Sequence, residues 1–128
     1  MDPKSLRFSP THEWVHLDGD IATVGISLFA VDQLTDLTMI ELPKVGSRVT
    51  AGKAFGEIES VKNVSPLYAP VGGEVVEINL DVTSQFQILS QDPYGKGWLI
   101  KIKVDQPTGL SGLLDHDAYE RKVAEESH

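Results

Sequence analysis

The sequence predicts a mainly β domain, a barrel or sandwich of small sheets with short flanking helices, and three observations predict it. Apolar and polar residues alternate in GEIESVK (56 to 62), GEVVEIN (73 to 79) and WLIKIKVD (98 to 105), the period of two that a half-buried strand requires. Turn residues punctuate the chain at short intervals: KVG at 44 to 46, AGK at 51 to 53, APVGG at 69 to 73 and DPYGKG at 92 to 97. Helical patterning is confined to two short stretches.

The first strands fall in HEWVH (12 to 16) and IATVGI (21 to 26), joined by LDGD; apolar strand, turn residues and apolar strand make a hairpin signature. HEWVH also matches HExxH, in which two histidines one helical turn apart hold Zn²⁺ and the glutamate is a general base. In a strand, His12 and His16 lie about 13 Å apart at about 3.3 Å per residue, whereas zinc needs both nitrogens at about 2.0 to 2.1 Å. The zinc reading therefore fails on geometry, and no metal site is expected. Ser27 is placed to cap a helix over LFAVDQL. The pattern VGxxV occurs at Val45, Gly46 and Val49 and again at Val71, Gly72 and Val75, which would place similar half-sheets on either side of the segment between them. In the last strand Trp98, Ile100, Ile102 and Val104 share one face; Leu99, Lys101, Lys103 and Asp105 share the other, so only one face needs burial. Asp115 is placed to cap HDAYERKVAEE, with Ala118, Tyr119 and Val123 as its buried stripe. The expected organisation is one domain over 1–128, with flexible ends at about 1–6 and 125–128.

Global numbers narrow the function. With 128 residues and a formal charge of −8 spread along the chain, a polyphosphate partner is repelled, which argues against nucleic acid. MDPKSLR lacks the apolar core of a signal peptide, and no run approaches the length of a membrane span. The initial Met1 favours an unprocessed cytoplasmic bacterial product, the alternative being a mature form in the mitochondrial matrix. There is no cysteine, so disulfides, thiolate metal sites and a catalytic thiol are excluded; any sulfur redox chemistry must arrive on a cofactor.

The most informative segment is ESVKNVSPLYAP (59 to 70). Pro66 and Pro70 are expected to interrupt pairing between GEIESV and GEVVEIN, so Lys62 and Asn63 fall at a bend. Asn63 tolerates the left-handed conformation of a tight turn. Lys62 becomes a protruding hairpin lysine, and on residues alone its ordinary reading is a solvated turn residue.

GEIESVK followed by APVGGEVVEIN resembles the attachment segment of lipoyl carriers. THEWV (11 to 15), DIATVGI (20 to 26), IELPKVG (40 to 46), DPYGKGWLIKIK (92 to 103) and LLDHDAYE, in that order, resemble the H-protein family of the glycine cleavage system. The resemblance spans about Phe8 to Glu120. It implies a lipoyl/biotinyl-type barrel-sandwich hybrid with lipoic acid in amide linkage to Lys62, and Glu59, Ser60 and Val61 as candidates for recognition by a lipoate ligase or octanoyltransferase. Val61 and Asn63 replace the methionines that typically flank a biotinyl lysine. The chain lacks the Ala/Pro linker of dehydrogenase-complex carriers, which fits a freestanding, monomeric carrier.

The implied function is that of a non-enzymatic carrier, with no membrane partner. It would accept the aminomethyl group left when a pyridoxal-phosphate glycine decarboxylase acts, deliver it to a tetrahydrofolate-dependent aminomethyltransferase, and be reoxidised by dihydrolipoyl dehydrogenase. Thr11 and Glu13 are implied to face the loaded arm in a cleft. The alternative is a relay that hands lipoyl or octanoyl groups to other lipoyl domains. It is motivated by Pro66, which stands where many relatives carry aspartate. Gln85, Phe86, Ser90 and Lys96 also depart from the family pattern, in loops expected to line the cleft or meet a partner. Acidic residues around Glu57 and Glu59 are candidates for guiding docking.

Overall fold

The computed structural model describes residues 2–34, 36–105 and 112–126. After a 3-10 turn at Pro3–Ser5, the chain forms β1 (Arg7–Phe8), β2 (Glu13–Asp18), β3 (Ile21–Ile26), α1 (Leu28–Gln33), β4 (Leu37–Glu41), β5 (Arg48–Val49) and β6 (Ala54–Ser60). It continues with β7 (Val64–Tyr68), β8 (Gly73–Ile78), α2 (Asp81–Ser84), α3 (Gln87–Gln91), β9 (Ile100–Val104) and α4 (His116–Glu126). Antiparallel pairing makes a six-stranded sheet, β1-β2-β3-β9-β8-β5, and a three-stranded sheet, β4-β6-β7. The architecture is mainly β and sandwich-like, as expected.

Local signals account for most boundaries. β2 and β3 pair from Glu13↔Ile26 to Asp18↔Ile21, turning at Gly19, whose φ of 63 suits a residue without Cβ. Ser27 caps α1 by accepting the Ala30 N–H at 3.3 Å, and Asp115 accepts the Ala118 N–H at 2.8 Å where α4 begins. Helices α2 and α3 span 4 and 5 residues, too few to show a helical period in sequence.

The main core lies between the sheets, where Val24, Ile58, Leu67, Val75, Ile100 and Ile102 are buried, each contributing about 1.5–3 kcal/mol. A second cluster covers part of the large sheet under α4: Leu6, Phe8, Trp14 and Tyr119. Phe8 and Tyr119 stack with ring centroids 4.2 Å apart. Trp14 fits because Gly25 lies opposite it, where a Cβ would sit 2.4 Å from the indole.

Several details differ from expectation. Pro66 does not interrupt pairing; it lies within β7, an edge strand opposite Glu57, where a missing N–H is tolerated. Leu99 is buried, not exposed with Lys103: its side chain packs in the main core, and its N–H and C=O bond Val24 and Asn79 just ahead of β9. The two VGxxV segments are neighbours in the six-stranded sheet, the Gly46 N–H donating to the Val75 carbonyl at 2.7 Å, and their first valines differ: Val45 is exposed and Val71 buried. At the ends, Pro3–Ser5 is a 3-10 turn, Leu6 is buried, and Glu125 and Glu126 belong to α4, which does not bear on how mobile they are. Met1, Ser127 and His128 lie outside the described residues.

Candidate functional site

Lys62 stands at the tip of the β6–β7 hairpin. Glu59 pairs with Val64, the Ser60 N–H donates to the Asn63 carbonyl at 2.9 Å, and the Asn63 N–H donates to Ser60 Oγ at 3.2 Å. Those bonds close a turn with Val61 and Lys62 at its apex. The non-glycine residues with positive φ, among those described, are His12 and Asp36; Asn63 does not supply the left-handed position. Asp36 instead braces the tip from the neighbouring loop, its carbonyl accepting the Val61 N–H at 3.2 Å.

Lys62 is exposed, and among the described residues its ammonium has no hydrogen-bond or ion-pair partner. Val61 and Val64, 63% and 55% exposed, form apolar shoulders beside it. Glu59 lies in one cross-strand row with Met39 and Val64, and Glu57 in the next row with Glu41 and Pro66. Ser60 is spent on the turn itself.

Strand β7 leads from this tip to a cleft of about 300 Å³. Ser65, Pro66 and Leu67 form one wall, Phe29, Ala30 and Gln33 of α1 another, and Thr11, His12, Glu13 and Glu126 its polar part. Lys62 is four residues from Pro66 along the chain, about 13 Å of extended strand at about 3.3 Å per residue. Thr11 and Glu13 are thus brought together, and the lysine-bearing strand is brought beside them. Pro66 gives this wall a ring and a carbonyl but no charge and no N–H.

Glu13 is 1% exposed and accepts three hydrogen bonds. Its Oε1 accepts the hydroxyls of Ser9, at 2.6 Å, and Thr11, and its Oε2 accepts the Tyr68 N–H at 3.1 Å. Burial pushes its pKa above the usual carboxylate value, while these hydrogen bonds pull the other way.

Sequence reasoning missed Glu126 and the contacts that assemble the rest of the polar wall. His12, at φ 79, swings out of line with β2. Its Nδ1 lies 2.8 Å from the Tyr119 hydroxyl and its Nε2 2.9 Å from Glu126 Oε2. Ser27 Oγ shares a 2.5 Å hydrogen bond with the Tyr119 hydroxyl, so the residue read as a helix cap also anchors α4. No local signal links these positions, which are separated by most of the chain.

HEWVH is not helical, since Glu13–Asp18 is strand. Among the described residues no group of three or more His, Cys, Asp or Glu is placed to hold a metal. Phe86 and Ser90 do not line the Glu13 cleft: with Asp32, Asp36 and Gln87 they line a separate cavity of about 280 Å³. Gln85 and Lys96 are exposed and outside the cleft lining.

A lysine that has no partner among the described residues, on a braced hairpin whose second strand runs to a cleft with apolar walls and a carboxylate end, is the arrangement a carrier scaffold needs. Comparison with known proteins identifies which carrier. The family model for the glycine cleavage H-protein matches residues 6–126, and the chain belongs to that family. It is 48% identical over 124 residues to the glycine cleavage system H protein of Carboxydothermus hydrogenoformans, covering 97% of this chain and 95% of that one. It is 48% identical over 126 residues to that of Microcystis aeruginosa, covering 98% and 96%. The crystal structure of a glycine cleavage system H protein from Mycobacterium marinum superposes with a TM-score of 0.83 at 34% identity, covering 98% of this chain and 99% of that one. Members of this family are carrier subunits of the glycine cleavage system and not catalysts.

Proposed function

We propose that the chain carries lipoic acid in amide linkage to Lys62. Through it the chain ferries the aminomethyl group from the pyridoxal-phosphate glycine decarboxylase to the tetrahydrofolate-dependent aminomethyltransferase, and electrons to dihydrolipoyl dehydrogenase. The observation that carries this reading is the exposed Lys62, without a partner among the described residues, at the apex of a turn closed by Ser60 and Asn63. Bound lipoate supplies the disulfide that this cysteine-free chain lacks.

The chain's own residues do the positioning. The β6–β7 hairpin holds the attachment point clear of the body, and Glu59, Ser60 and Val61 present it to a lipoate ligase or octanoyltransferase. Leu67, Ile58 and Phe29 offer an aliphatic arm an apolar lining. At the polar part Thr11 presents a hydroxyl and Glu13 a carboxylate to an amine, and exclusion of water slows loss of the one-carbon unit. The relatives compared are bacterial, and no described helix is long and apolar enough to cross a membrane. The bacterial relatives favour a bacterial carrier, and the reading adds that it acts in the cytoplasm as a single-domain monomer.

Intact mass and peptide mapping of protein made in a lipoate-competent host test the attachment: the lipoyl increment is expected on the peptide containing Lys62 and absent from Lys62→Arg. Glycine–bicarbonate exchange with the decarboxylase tests the role. Lipoylated protein that supports no exchange with a competent decarboxylase rejects it.

A further inference from the structure

We infer that Glu126, at the end of α4, is a second positioning carboxylate of the cleft, sharing with Glu13 the ammonium end of a group parked there and held in place by a Ser27–Tyr119–His12 chain. This rests on the reading that a Lys62-borne arm enters the cleft.

Glu13 and Glu126 are the two carboxylates among the described residues lining the cleft. A primary ammonium brings three donors, and an ionised carboxylate has about four acceptor sites. Glu13 has two hydroxyls on Oε1 and an N–H on Oε2, which leaves about one site. Glu126 has Lys122 on Oε1 and His12 on Oε2, which leaves about two. Together the carboxylates match what an ammonium donates; Glu13 alone does not.

Their surroundings also differ in sign. Burial disfavours the charged form of Glu13, whereas the Lys122 hydrogen bond holds Glu126 below the usual carboxylate range. Glu126 is thus the cleft carboxylate whose partners favour its charged form. Lys122 stands one turn back on the same helix, 31% exposed, and shares Glu126 with any ammonium that enters the cleft.

The position of Glu126 is set from the core. If neutral His12 donates its Nε2–H to Glu126, its Nδ1 accepts from the Tyr119 hydroxyl, which in turn accepts from Ser27 Oγ. Ser27 and Tyr119 are 0% and 2% exposed. The chain of bonds thus runs from a fixed interior to the rim. His12 adopts an uncommon left-handed backbone that aims its ring at α4.

The test uses lipoylated protein loaded with glycine by its decarboxylase and then separated from it, comparing wild type, Glu126→Gln, Glu126→Asp and Glu13→Gln. Retention of the one-carbon unit is followed by mass spectrometry, and the His12 imidazole signals are followed by NMR before and after loading. Glu126→Gln is expected to lose the unit about fivefold faster, the effect of about 1 kcal/mol. Glu126→Asp should recover part of the loss, and the His12 shift on loading should shrink in Glu126→Gln. Circular dichroism checks α4; should Glu126→Gln loosen it, Glu126→Asp carries the comparison. Faster loss in Glu13→Gln with no change in the Glu126 variants overturns the assignment while leaving the cleft reading intact. No change in any variant, with His12 silent on loading, removes the cleft reading and this inference together.

Discussion

Glu13 accepts the backbone N–H of Tyr68 at 3.1 Å, and this contact ties the start of β2 to the end of the strand that leaves the lysine hairpin. The same carboxylate accepts from Ser9 and Thr11. Truncation to Glu13→Ala leaves these donors facing a buried gap and is expected to destabilise the fold by about 1–3 kcal/mol, read as a lower urea midpoint.

The pH dependence of that site has a defined sign. Burial raises the folded pKa of Glu13 above 4.5, so the native state keeps this proton to higher pH than the unfolded chain. Its contribution to stability falls as pH rises from the unfolded pKa through the folded one, then levels. Glu13→Gln has no such titration. Urea midpoints measured against pH should show the advantage of wild type over Glu13→Gln shrinking across that mildly acidic window; a constant difference contradicts it.

The role proposed for Lys62 comes without a structural duty. Exposed and without a partner among the described residues, it is expected to tolerate Lys62→Arg within about 0.5 kcal/mol, while lipoylation is lost. Thermal denaturation paired with intact mass checks both halves.

Tyr119 joins the second core to the cleft. Tyr119→Phe keeps the stacking on Phe8 but strips the hydroxyl shared with Ser27 and His12. The expected cost is about 0.5–1.5 kcal/mol, with an altered His12 imidazole signal. Tyr119→Ala also removes the ring, at about 3–5 kcal/mol by analogy with other large aromatic truncations.

Gly56 lets β4 lie against β6. A Cβ there would sit 2.2 Å from the Glu41 carbonyl oxygen, so Gly56→Ala must shift backbone in the sheet that carries the lysine. A loss of about 1–3 kcal/mol with slower lipoylation is expected; unchanged stability contradicts the packing.

The β2–β3 hairpin, the lysine at a hairpin tip and the caps Ser27 and Asp115 were legible because each depends on residues a few positions apart. Thr11 and Glu13 became candidates only through resemblance; their strand pattern alone makes Glu13 an ordinary carboxylate. Leu99 was misplaced because it precedes β9 and its side chain packs into the main core, which the alternation of the strand does not reveal.

By itself, the sequence determined the strand periods, the turns and the chemistry available at Lys62, since side-chain alternation and turn preference are properties of chain neighbours. Tertiary structure alone decided that Pro66 lies on a tolerant edge strand, that Glu13 is shut away beneath two hydroxyls and an N–H, and that Glu126 reaches the same cleft through His12. The reason is physical: those outcomes depend on which distant surfaces pack together, and packing is set by the burial of whole faces, not by the spacing of residues along the chain.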